Sequence, residues 1–151
     1  MTPPPRHLLT VALGGAVGAG LRQALVLAWP PHGWDAVVLT INVVGAFALA
    51  VLLTWLAGTG PDEGRRRDAR LLLGTGVLGG FTTYSTLAVD TAMLLRSGDA
   101  GMAAGYALLT VGLGAAASLL GIRCGTGLLG IRPTGRRGAP QPHAPGAEEA
   151  P

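Results

Sequence analysis

Charge is scarce in this chain: 13% of its 151 residues are Asp, Glu or Arg, and lysine is missing altogether. A soluble domain carries about 25% charged residues, so the deficit, with a mean hydropathy of +0.46, marks a membrane protein. The single cysteine, Cys124, excludes an internal disulfide, and His7, His32 and His143 are too scattered for a metal site. Nucleophile-base pairs, a phosphate-binding loop and paired carboxylates are also lacking, so an enzyme is not expected. A proton-coupled exporter needs a carboxylate deep in the bilayer. The only acid inside a hydrophobic run is Asp90, close to one end, while the deep charge is Arg22. That balance favours an anion, and hydrogen-bond donors without titratable groups suggest a passive pathway.

What the chain has in quantity is apolar length. His7 to Trp29, Ala36 to Ala57, Leu71 to Leu95 and Gly101 to Ile122 each reach the roughly 20 residues that cross a bilayer. They predict an all-α bundle of four membrane-spanning helices over residues 1–132. The first run carries glycines and Arg22 where a cleavable signal has a short leucine-rich core, so it is expected to be retained. Residues 133–151, from Pro133 on, are rich in Pro, Gly and Ala without periodicity and are expected to form a disordered cytoplasmic tail. Four spans put both termini on one side, with Arg6, Arg65, Arg66, Arg67, Arg70, Arg132, Arg136 and Arg137, against Arg96 alone on the other. By the positive-inside rule that side is the cytoplasm, which makes this a multi-pass cell-membrane protein with both termini inside.

Polar residues within the spans are the candidates for function. Gly14, Gly18, Gly15 and Ala19 form small-xxx-small pairs suited to close helix packing. Arg22 either snorkels to the interface, or attracts an anion or joins an ion pair. Asn42 either hydrogen-bonds a neighbouring helix or donates its amide to an anion. In the third span, Gly79-Gly80 precede Phe81 and five consecutive hydroxyl-bearing residues, Thr82, Thr83, Tyr84, Ser85 and Thr86. Such a run favours local unwinding, which frees carbonyls as cation ligands and hydroxyls as anion donors; the alternative is an intact helix with a polar stripe. Tyr106, Thr110, Gly114 and Ser118 recur every four residues, as either a polar track or a packing face.

Three motifs in order, GGAVGAGLR (Gly14 to Arg22), TINVVGAF (Thr40 to Phe47) and GTGVLGGFTTYSTLAVD (Gly74 to Asp90), resemble the signatures of the Fluc, or CrcB, fluoride channels. The resemblance spans roughly residues 7 to 125. It implies a passive fluoride channel that protects the cell by export, built as an antiparallel dimer with two pores. It also implies a structural, untransported sodium ion held by backbone carbonyls at a break in the third helix, here those of Gly79 and Thr82. Family pore aromatics fall at Tyr84 and Leu87, break hydroxyls at Ser85 and Thr86, and the pore asparagine at Asn42. Arg22 matches the first-helix arginine, Tyr106, Thr110 and Ser118 the fourth-helix track. The chain departs from the pattern with Tyr84 and Leu87 in place of phenylalanines, with Asp90 in place of Glu, and with Gly114 interrupting the track. The arginine asymmetry opposes insertion in both orientations, so a heterodimer with a related, oppositely oriented subunit is expected before a homodimer. A non-conducting structural subunit and an exporter of another small solute are the alternatives.

Overall fold

The computed structural model describes residues 4–29, 36–128 and 130. The expected tail, the 30–35 link with His32, and Arg132, Arg136 and Arg137 lie outside the described residues. The chain is helical: α1 (Pro5–Ala28), α2 (Ala36–Thr59), α3 (Gly64–Ala69), a segment of wide π-type turns (Arg70–Leu78), α4 (Gly79–Phe81), α5 (Ser85–Arg96) and α6 (Ala100–Leu128). Among the described residues four stretches are long and apolar enough to cross a membrane, namely α1, α2, the composite Gly64–Arg96, and Ala100–Gly127 within α6.

Local chemistry sets the helix ends. Pro5 opens α1, where its missing N–H costs nothing and its fixed φ suits the helix. After α5, Gly98 takes a φ of +87° and its N–H donates to Leu95 O at 3.1 Å, while the Asp99 N–H donates to Leu94 O at 3.0 Å. This paired closure of a helix C-terminus needs a residue at ease in the left-handed region. Asp99 then caps α6, its Oδ1 accepting from the Met102 N–H at 3.1 Å. A reversal this short makes α5 and α6 antiparallel neighbours.

Packing divides into two pairs. α1 lies along the π-type segment and α4, and α2 lies along α6, which also receives α5. Glycine sets both approaches. A Cβ on Gly14 would sit 2.5 Å from Leu72 O and 2.9 Å from Gly76 Cα, and one on Gly18 would overlap the Val77 carbonyl. On the other side, a Cβ on Gly121 would lie 2.6 Å from Phe47 O. Bilayer tails give no hydrophobic drive between helices, so such close backbone contact is what holds them. The buried apolar set is correspondingly small, comprising Val38, Ile41, Leu56, Leu87, Ala103, Tyr106 and Ala117. Leu8, Leu13, Leu27 and Leu108 face outward, as suits side chains solvated by lipid.

At the end of the bundle carrying the α2–α3 connection, Arg70 grips Asp62 with Nε at 3.0 Å from both carboxylate oxygens and Nη2 at 2.8 Å from Oδ2. Arg67 Nε donates to Asp62 O at 3.1 Å, and His7 Nε2 lies 3.9 Å from Asp68 Oδ1, tying α3 to the start of α1. The Arg70 hydrogen bonds hold the Asp62 carboxyl below its ordinary range. A depressed folded value means that the contact contributes above the unfolded pKa of about 3.9 and is lost as pH falls through the folded value. Asp62→Asn is therefore expected to speed amide exchange in this connection at neutral pH. Lowering the pH of the wild type through the depressed folded value should likewise reduce the protection factors there, each rate being referred to the free-peptide rate at the same pH, and should leave the variant's protection factors unchanged.

Candidate site at the interruption of the third span

Thr82, Thr83 and Tyr84 separate α4 from α5. The Thr82 N–H still donates to Leu78 O at 3.0 Å, but Thr82 itself is extended, with φ −76° and ψ 157°, and the ladder stops there. Its hydroxyl turns back to Leu78 O at 2.9 Å. The next residue is held from α2. The Thr83 N–H donates to Asn42 Oδ1 at 2.8 Å, and Asn42 Nδ2 donates to Thr83 O at 2.9 Å. One turn further along α2, Gly45 leaves room for the Thr82 methyl, which presses on it. The buried Thr83 hydroxyl contacts Ser85 Oγ at 3.0 Å and Thr86 Oγ1 at 3.2 Å, and accepts from the Thr86 N–H at 3.4 Å, so it caps the start of α5.

From α1, Arg22 extends Nη1 to 3.5 Å from Thr82 O, at the long limit of a hydrogen bond. On α6, Tyr106 is buried and its phenol donates to Asp90 Oδ2 at 3.3 Å, while the Thr110 hydroxyl donates back to Tyr106 O at 2.8 Å. Thr110 and Tyr106 therefore spend hydroxyl hydrogens within the bundle.

An open groove of about 710 Å³ runs between α2, the interruption and α6. Asn42, Thr82, Thr83, Tyr84, Leu87, Thr110 and Ser118 line it among apolar residues such as Leu49, Leu53 and Ile122. None of its described lining residues carries a charge. Of the residues singled out in the sequence, Asn42, Thr82, Thr83, Tyr84, Leu87, Thr110 and Ser118 share this groove; Ser85 and Thr86 join it through the Thr83 hydroxyl. Arg22, Gly79 and Tyr106 are not among its lining residues. Tyr84 and Leu87 differ sharply: the tyrosine is 81% exposed and the leucine 7%.

Thr83 is the centre of the site, and its weight was not legible in the sequence, where it is one hydroxyl among five. Among the described residues no group of three or more His, Cys, Asp or Glu side chains could hold a metal. Backbone oxygen is the cation-binding chemistry on offer. The Thr83 and Thr86 N–H groups, which a continuous helix would direct to Gly79 O and Thr82 O, go to Asn42 and to the Thr83 hydroxyl. Those two carbonyls are thus released from the ladder and fit a hard cation, with Thr82 O keeping a second lone pair beside Arg22.

Residues 9–122 match the family described as CrcB-like protein, Camphor Resistance (CrcB). Curated relatives agree. A fluoride-specific ion channel FluC 2 of Leifsonia xyli subsp. xyli is 51% identical over 124 residues, 82% of this chain and 86% of that one. A fluoride-specific ion channel FluC 1 of Cutibacterium acnes is 47% identical over 108 residues, 70% of this chain and 75% of that one. The FluC channel of Hyphomonas neptunium is 44% identical over 117 residues, 76% of this chain and 91% of that one. By its matched span and by these identities, the chain belongs to the CrcB-like family.

Proposed function

We propose that this chain is a subunit of a fluoride-selective channel and conducts the anion passively out of the cell. The observation that carries the reading is the uncharged groove lined by Asn42, Thr83, Thr110 and Ser118, with Ser85 and Thr86 bonded to the Thr83 hydroxyl, in a chain whose relatives are named fluoride-specific ion channels. A small, strongly hydrated anion must exchange water for a few fixed donors in a narrow path, and a lining without carboxylates raises no repulsive barrier. Fluoride entering as the neutral acid from an acid medium dissociates in the cytoplasm and leaves as the anion, which lowers its toxicity. The third-span interruption serves as the functional break. A sodium ion held by Gly79 and Thr82 carbonyls would supply a fixed positive charge that ties the break in place without being transported.

The working unit in this reading is an antiparallel dimer. Arginine on one side of the membrane keeps both termini in the cytoplasm, so the partner is a related subunit of opposite orientation, and a homodimer is the competing arrangement. Fluoride efflux from liposomes holding the protein, alone and with any paralogue encoded beside it, tests the function. Efflux in at least one preparation is expected; none in either sinks the channel reading. Reporter fusions at the two termini test orientation. Both are expected to report the cytoplasm, and equal populations on the two sides would overturn the heterodimer.

A further inference from the structure

We infer that Asn42 is a positioning residue that withholds the Thr83 N–H from Gly79 O and thereby keeps the break open. The inference deepens the channel reading and rests on it only for the purpose of the freed carbonyl. In a continuous helix the Thr83 N–H would close the ring onto Gly79 O, four residues back. Here it meets Asn42 Oδ1 at 2.8 Å, while the other end of the same amide meets Thr83 O at 2.9 Å. Both distances are ordinary for strong amide bonds, and the pair reproduces what one strand offers another, delivered by a side chain from α2. An intramembrane N–H without a partner is costly, so removing the amide leaves Thr83 one nearby recourse, its own helix. Gly45, three residues along α2, admits the Thr82 methyl and lets α2 come close enough for the amide to reach. The roles of clamp and anion donor are compatible, since Nδ2 carries a second hydrogen. The clamp, however, acts through Thr83 and Gly79 and needs no anion.

The chain contains two Gly-Gly pairs, Gly14-Gly15 and Gly79-Gly80. Glycine labelled with 13C at the carbonyl and with 15N therefore gives two carbonyl-nitrogen correlations in micelles, one on Gly79 O and one on Gly14 O. Asn42→Leu is expected to move the Gly79 signal downfield, as its carbonyl regains a donor, and to leave the Gly14 signal in place as the mark of an intact fold. Asn42→Asp keeps the acceptor for the Thr83 N–H and is expected to leave both signals near their wild-type positions. A Gly79 signal unmoved by Asn42→Leu, or moved equally by Asn42→Asp, overturns the inference. If Asn42→Leu displaces both signals, Asn42→Ala takes its place. Displacement of both by that variant too means the residue supports the whole bundle, and the inference fails. Titrating sodium against potassium into the wild type separates the underlying reading. A Gly79 signal indifferent to sodium sinks the sodium site and leaves the clamp to be judged on the variants.

Discussion

Tyr84→Ala is expected to cut fluoride flux by about tenfold or more, measured in whichever liposome preparation conducts, while leaving thermal stability nearly unchanged. The ring is 81% exposed, so its loss removes little packing within the chain. It nonetheless lines the groove beside Asn42 and Thr83, where its positive edge and its hydroxyl can both face an anion. Those contributions, about 1–1.5 kcal/mol together, correspond to roughly a factor of ten. Leu87→Ala is expected to behave in the opposite way. Leu87 is buried between α5 and its neighbours, and truncating such a side chain costs about 2–4 kcal/mol. Its variant should unfold earlier whether or not fluoride passes. Equal losses of flux and stability in the two variants would mean that neither position is specific to the path.

Gly18→Ala is expected to destabilise the bundle by about 1–3 kcal/mol, since one methyl there meets backbone that cannot step aside. Its Cβ would overlap the Val77 carbonyl and lie 2.8 Å from the Phe81 N. Relief requires α1 to move away from the π-type segment and α4, and Arg22, one turn on, moves with it. Gly20→Ala is the control. A Cβ at Gly20 has no neighbour within 4 Å, so the gain in helix propensity, up to about 1 kcal/mol, is unopposed. Reversible unfolding in mixed micelles should therefore separate the two substitutions by about 2 kcal/mol or more, and equal midpoints would contradict the crossing described above.

Why some of this was legible in the sequence and some was not follows from the range of the interactions. Four spans follow from apolar length alone, a property of each segment by itself. Gly14 and Gly18 were readable as a packing pair, because four-residue spacing fixes one helix face. The partner of that face, the π-type run from Arg70 to Leu78, was not readable. Gly74 and Gly76 within it weaken the α-helix without dictating what replaces it. Asn42 was visible as a polar residue with two possible uses. Which group its amide meets needed the position of Thr83, 41 residues away, which no local pattern supplies. The separation of Tyr84 from Leu87 was hidden for the same reason, since three residues across a helix start can point either way once the ladder is interrupted.

The Asn42–Thr83 clamp also bears on how the chain is made. A segment entering the bilayer alone must satisfy its own backbone, so the third span has to insert as a closed helix. On the clamp inferred above, the break is expected to open only once an amide is waiting at that depth. Because α2 precedes the third span in the chain, it is expected to reach the membrane first, with its amide in place when Thr83 arrives. A circular permutation that returned α2 after α5 would keep every contact of the finished fold and reverse that order of arrival. Its yield from a translating ribosome, set against its stability once assembled, would measure how far the sequence order itself guards the opening.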